Sequence, residues 1–333
     1  MTQMKALLLV GAILLVRSEY VQAFAASPSS STPLGQTTKN VATQILQGAG
    51  PSLVDLNQYN LDSLEQIESE WTANLAQKIS EKEVYTRLGV KSSKELFVDS
   101  IVVSFPRDPK IASLGIQLVE IAGGRDDGIG ITLVSGLVGG GAADGQDILP
   151  GDSISQVSIA RTKRKSLSET QEIVTAKTEC LSYDATVDAI LSLPPPDAVY
   201  DEVYNIELKR IRRKPKLTVN LQYPPSQNEP DVTIQMFAGE NLRQGMLVRG
   251  VKLNDPLAQR FDTKNGGNCG AGGLCRTCAV SIRNGEDLLN PQRLAEKQML
   301  EDNPRWRLAC KAIVGFGMKE GELTVRVNPK QWE

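Results

Sequence analysis

The spacing of apolar positions divides the chain into parts with different periods. Between Leu61 and Ile79 the apolar residues Leu61, Leu64, Ile67, Trp71, Leu75 and Ile79 recur every three or four positions. That period predicts an amphipathic helix packed on its own domain, with docking onto a larger complex as the alternative and Ser63 and Gln66 placed as a capping box. Residues 55–96 therefore read as a helical segment. From about Phe97 to Arg213 the runs shorten and become β-branched. Ile101-Val102-Val103, Leu118 to Ile121, Ile131 to Val134 and Ile206-Glu207-Leu208 predict strands, and Asp184 to Leu193 predicts a helix stopped by Pro194-Pro195-Pro196. From Lys216 on, Leu217 to Tyr223 and Val232 to Phe237 alternate in period two and Arg243 to Lys252 can form a helix. A strand at Ala279 to Arg283, a helix at Leu294 to Leu300 and a closing strand at Leu323 to Val327 complete an α+β pattern.

The N-terminus carries an address. Lys5 precedes an apolar run, Ala6 to Val16, too short to span a bilayer comfortably, and Val21-Gln22-Ala23 offers small residues to a signal peptidase. After it the chain is rich in Ser, Thr and Pro, with no acidic residue from Phe24 until Asp55. Residues 1–23 thus read as a signal peptide and 24–54 as a transit peptide. The join, with Phe24 directly after the cleavage point, resembles the bipartite presequence of algae with red-lineage secondary plastids. That resemblance implies a plastid protein, stromal, with a peripheral place on the thylakoid left open. The alternative is a plain secreted protein, whose oxidising compartment would turn the cysteines into disulfides. No second apolar segment occurs downstream, so no transmembrane segment is expected in the mature chain.

Composition narrows the chemistry. The 333 residues are enough for two compact domains plus a leader. A net charge of −2, with no long Lys/Arg run, gives no footprint for nucleic acid. The chain has no histidine, which removes Ser-His-Asp and Cys-His catalysis, His-ligated zinc, the 2-His-carboxylate iron site and the Rieske cluster. Of five cysteines, four fall in the last third, a clustering that favours a metal site over a disulfide framework.

Those four are Cys269, Cys275, Cys278 and Cys310, in the pattern C-x5-C-x2-C, thirty-one residues, C. Three thiolates must converge on a cluster a few ångströms wide while backbone N–H groups point at sulfur. Glycine tolerates the required backbone angles, and five glycines lie between Gly266 and Gly273. Leu274 and Ala279 would keep water from the site, and Arg307-Leu308-Ala309-Cys310 would bring the fourth ligand. A structural zinc site needs the same thiolates, but zinc ribbons usually present two C-x2-C knuckles and here the fourth cysteine is alone. Cys180, outside the pattern, reads as a buried small residue.

From Lys216 to the C-terminus, residues 216–333, the chain resembles the plant-type ferredoxin family. The match runs through the cysteine loop, Gly285 to Leu289, the helix at Leu294, the Arg-Leu-Ala-Cys segment and the closing strand. The resemblance implies a β-grasp domain holding a 2Fe–2S cluster on Cys269, Cys275, Cys278 and Cys310, at a potential of roughly −400 mV. The first cysteine interval departs from photosynthetic ferredoxins, which have four residues there. It is similar to that of vertebrate-type ferredoxins and of the ferredoxin-like subunit of the plastid NAD(P)H dehydrogenase-like complex. This region has 16 Lys or Arg against 13 Asp or Glu, about +3, where mobile plant ferredoxins are strongly acidic. The charge argues for a fixed subunit or assembly factor over a freely diffusing carrier.

Residues 97–213 resemble a PDZ domain, a small β-barrel or sandwich. Ser113-Leu114-Gly115-Ile116 sits where that family has its carboxylate-binding loop. Gly140 to Ala143 and Ile148 to Ile154 match the family's stretch from the short helix into the next strand. The resemblance implies peptide binding by strand addition. Leu114, Gly115 and Ile116 would supply backbone donors, and Tyr183 and Val187 would face the peptide. Together these readings give a plastid one-electron transfer protein, more a carrier or redox subunit than a stand-alone enzyme. Its PDZ-like domain would tether it to a thylakoid or stromal redox complex. An assembly scaffold with a structural or redox-sensing cluster is the rival.

Overall fold

A computed structural model describes residues 55–77, 84–111, 113–121, 129–163, 171–253, 255, 257 and 269–332. The two leader segments, 1–23 and 24–54, lie outside the described residues.

The helix expected over Leu61 to Ile79 is corrected. Only α1, Leu64–Glu70, is helical, and Trp71–Gln77 is a strand, β1, paired antiparallel with β2, Val84–Val90, from Trp71 opposite Val90 to Gln77 opposite Val84. Ile79 lies outside the described residues. A spacing of four is shared by one face of a helix and one face of a strand, so Trp71 and Leu75 could not distinguish the two. Tertiary contact decides. Trp71 is buried, its indole N–H donates to the Gly151 carbonyl at 3.1 Å, and the backbone turns there because Lys91 N–H bonds to Glu70 O. The capping box also does not form: Ser63 is the N-cap of α1 but its side chain makes no capping bond. Residues 55–96 are thus a short helix and a hairpin, not a helical segment.

The next region is built on a four-stranded antiparallel sheet in the order β3-β8-β6-β7. Its strands are Leu96–Pro106 (β3), Ser153–Lys163 (β6), Gln171–Lys177 (β7) and Tyr200–Arg213 (β8). A separate pair, β4 (Ile116–Glu120) and β5 (Thr132–Leu137), and helix α2 (Tyr183–Leu191) complete it. Helix α2 starts where expected, capped by Ser182 Oγ, which accepts from Ala185 N–H. One core gathers Val103, Phe105, Ile116, Val134, Ile154, Ile190, Ile206 and Leu208. A second gathers Leu61, Trp71, Leu88, Leu96, Ile131, Leu133, Cys180 and Ile211. The N-terminal segment therefore supplies half of a core and is not an appendage. Cys180 is buried in that core, as its isolation in the sequence implied, and burial pushes its thiol pKa up.

The corner at Pro150-Gly151-Asp152 is fixed by charge. Asp152 is 1% exposed and takes two bonds of 2.8 Å from Arg210, through Nε and Nη2, and a third from Leu149 N–H. Bidentate geometry of this kind is what keeps a buried pair favourable.

Two residues, Lys214 and Pro215, join β8 to β9, Lys216–Gln222. The C-terminal region is a five-stranded mixed sheet, β10-β9-β13-β11-β12. Its other strands are Val232–Phe237 (β10), Ala279–Asn284 (β11), Trp306–Leu308 (β12) and Gly321–Val327 (β13). The last strand inserts centrally, parallel to β9, while every other pair is antiparallel. That is the β-grasp order. Helix α3, Leu242–Val248, is shorter than the expected Arg243 to Lys252 because Gly250 sits at φ +79° and the chain closes with Val251 N–H on Met246 O. Helix α4, Leu294–Met299, ends where expected. The core includes Leu217, Leu221, Met236, Leu242, Met246, Val280, Leu308 and Val325, with Cys278 and Cys310 at its edge. No helix among the described residues is long and apolar enough to cross a membrane.

Trp71→Ala removes both a core ring and the bond to Gly151. We expect it to destabilise the N-terminal unit by about 3–5 kcal/mol in a urea titration monitored by circular dichroism.

Candidate iron–sulfur centre and peptide groove

Two separate causes bring the four cysteines together. The first is strand register. Ala279 opposes Leu308 across β11 and β12, and Ala309 N–H donates to Cys278 O at 3.0 Å. Cys278 precedes one strand and Cys310 follows the other, so this pairing brings the two residues together, close enough for each thiol to shift the other's ionisation. The second is the loop from Cys269 to Cys275, where the two thiols also meet. Gly272 N–H bonds to Cys269 O at 3.1 Å and Leu274 N–H to Cys269 Sγ at 3.4 Å. Gly270, Ala271, Gly273 and Arg276 all have positive φ. For Ala271 and Arg276 that conformation costs energy, which the surrounding contacts must offset. Residues 258–268, with Gly266 and Gly267, lie outside the described residues.

Burial and hydrogen bonding push the thiols in different directions. Burial raises Cys269, but N–H groups of Leu274, Cys275 and Gly273 and the Cys275 thiol more than offset it, leaving a pKa of about 7. Cys278 is pushed up by its bond to Cys310 and by burial, and Cys310 is held down by the same bond. Thr277 Oγ1 lies 3.1 Å from Cys275 Sγ, a further polar contact to sulfur. Inward N–H groups that favour thiolate are what an iron–sulfur cluster requires of its loop.

The arrangement fits two irons better than one zinc. Zinc draws four thiolates around a single point, at about 2.3 Å each. The thiols influence one another most strongly as Cys269 with Cys275 and Cys278 with Cys310, the division expected of a cluster in which each iron takes two cysteines.

Asn241, Glu296 and Arg307, to which the sequence assigned no role of their own, position these thiols. Asn241 caps α3, its Oδ1 accepting from Gln244 N–H, while its Nδ2 donates to the carbonyls of Cys310 and Ala312. An Asn before an apolar helix is a readable cap signal. Glu296 and Arg307 form a buried pair, 2% and 3% exposed, in which Glu296 Oε1 accepts from Arg307 Nε at 3.0 Å and from Leu308 N–H at 2.8 Å. Nothing in the local pattern links two residues in separate elements.

Of the residues expected to line the peptide groove, Leu114, Gly115 and Ile116 lie at the start of β4, and Tyr183 and Val187 lie on α2. Leu114 and Ile116 are buried in the core. The carbonyls of Ser113, Leu114 and Gly115 accept from Ala142, Ala143 and Val138. Among the described residues the N–H groups of Leu114 and Gly115 donate no such loop bond. One edge of β4 pairs with β5 and α2 packs against the strand. Tyr183 is half-buried at the start of α2, whereas Val187 is buried.

Glu296→Ala leaves the Arg307 guanidinium buried without its partner. We expect a loss of about 3–5 kcal/mol in the C-terminal region and faster bleaching of the visible absorbance on standing, both measurable by urea titration and spectrophotometry.

Comparison with known proteins agrees with this geometry. Residues 258–315 match the model of the 2Fe-2S iron-sulfur cluster binding domain family. The chain is 36% identical over 96 residues to the chloroplastic "Photosynthetic NDH subunit of subcomplex B 3" of Arabidopsis thaliana, covering 28% of this chain and 44% of that protein. It is 28% identical over 112 residues to a subunit of the Na(+)-translocating NADH-quinone reductase of Actinobacillus pleuropneumoniae, covering 30% of this chain and 24% of that one. The chain thus spans less than half the length of these relatives. Among solved structures, the ISC-like 2Fe–2S ferredoxin of Pseudomonas putida is 19% identical, covering 33% of this chain and 91% of its own, with a TM-score of 0.26. The C-terminal region is a ferredoxin-type domain, and its cofactor is a 2Fe–2S cluster.

Proposed function

We propose that this is a plastid one-electron transfer protein whose PDZ-like domain tethers it to a thylakoid or stromal redox complex. The observation that carries the reading is the pairing of four thiols, two by strand register and two by a loop of inward N–H groups. When bound, the cluster accepts and gives up one electron at a time. The chain's own residues do the rest. Cys275, Cys278 and Cys310 are buried, which keeps water from the sulfurs, and Asn241, Glu296 and Arg307 hold the Cys310 segment in place. A rigid donor set limits the rearrangement that accompanies a change of charge.

The relation to a chloroplastic subunit supports the plastid placement, and the leader composition points the same way. The N–H groups of Leu114 and Gly115 beside β4, which donate no loop bond among the described residues, support the PDZ-like reading. A terminal carboxylate would accept from them, with the peptide lying between β4 and α2 and passing Tyr183. Tethering raises effective concentration at a redox partner without new chemistry.

Stoichiometric dithionite tests the electron-transfer part. We expect one electron per chain to bleach the visible bands and raise an S = 1/2 signal in the EPR spectrum, whereas a cluster that resists reduction favours the scaffold reading. Fluorescence titration with peptides ending in an apolar residue tests the groove. A free C-terminal carboxylate should bind at least tenfold more tightly than the amidated form, and equal binding would rule out the carboxylate loop.

A further inference from the structure

Several cations of the C-terminal region are engaged. Arg249 pairs with Glu240, Lys252 with Glu229, Arg307 with Glu296 and Lys319 with Asp287, and Arg276 donates to the Met299 carbonyl. Two others are held beside Cys310. Arg243 and Lys311 pair with no carboxylate among the described residues.

Their positions are set by the backbone. Arg243 is in the first turn of α3, and its N–H bonds to Ala309 O at 3.0 Å while Leu242 N–H bonds to Ala312 O at 2.9 Å. Those two bonds straddle Cys310. Lys311 comes directly after Cys310, and its side chain crosses the loop at Gly273. A Cβ on Gly273 would lie 2.6 Å from Lys311 Cε, and Gly273 has φ +80°. The absence of a side chain there lets the lysine methylenes lie on the loop that joins Cys269 to Cys275.

We infer that Arg243 and Lys311 are the counter-charges of the cluster and make it easier to reduce than the same four cysteines would alone. The inference rests on the electron-transfer reading above. Four thiolates and two bridging sulfides outweigh two ferric ions, so the oxidised centre is already anionic. Reduction by an external one-electron donor adds one more negative charge. No bond breaks and no proton moves, so the cost is electrostatic and a nearby cation lowers it. Both side chains are half-buried, where solvent and salt screen less than at an open surface.

The test is a mediated optical redox titration of the cluster-loaded full chain, with dithionite as reductant, and of Arg243→Gln, Lys311→Gln, the double variant and Lys311→Arg. Iron and sulfide content and the visible spectrum confirm that each variant carries the cluster. Each Gln variant should be about tenfold harder to reduce, ~59 mV more negative for a one-electron couple. The double variant should shift further and Lys311→Arg should stay near the parent. Raising the salt to about 1 M should narrow the gap between parent and double variant. Cluster-loaded Gln variants with the parent's potential would overturn the inference and leave the electron-transfer reading standing. So would a Lys311→Arg shift equal to that of Lys311→Gln, which would make the effect steric. A parent cluster that dithionite does not reduce would overturn the electron-transfer reading itself, and the inference with it.

Discussion

The C-terminal domain depends on one short pairing, that of Trp306–Leu308 with the start of the strand at Ala279. Two cysteines more than thirty positions apart in the sequence become neighbours because Leu308 opposes Ala279 and Ala309 bonds to Cys278. A slip of one residue would turn every side chain of the short strand to the other face and move Cys310 away. Three residues of strand cannot secure a register by themselves. The supports around them are therefore informative: Glu296 grips Arg307 and Leu308 from one side, and Asn241 grips the Cys310 and Ala312 carbonyls from the other.

The other pair of thiols is held differently. Cys269 and Cys275 meet through a loop with several residues at positive φ, so strain there is balanced by N–H bonds to sulfur and carbonyl. One half of the centre is thus fixed by sheet pairing within a core, and the other by a loop at the surface. Cys269 is the most exposed of the four cysteines, and Gly270 to Gly272 and Leu274 are exposed beside it.

The cysteine cluster, the period-two strands around it and the order strand, strand, helix, loop were legible in the sequence. Cysteine spacing and strand alternation are local signals. The helix assigned across Leu61 to Ile79 failed because a spacing of four residues suits both periods, and the burial of Trp71 against Gly151 decided in favour of a strand. The end of the helix at Val248 could have been read from Gly250. Strand Trp306–Leu308 could not, since it is short, carries Arg307 at its centre and exists only through its partner. The counter-charges also escaped the sequence. Whether a cation is paired depends on which carboxylates the fold brings near it, and Arg243 and Lys311 become distinctive only once their neighbours are known.

Metal and sulfide analysis of the purified chain tests the central claim most directly, since it asks what the two thiol pairs hold. The account predicts about two irons and two acid-labile sulfides per chain and no zinc, with both lost when Cys310 is replaced by Ser. About one zinc per chain and no sulfide would contradict it.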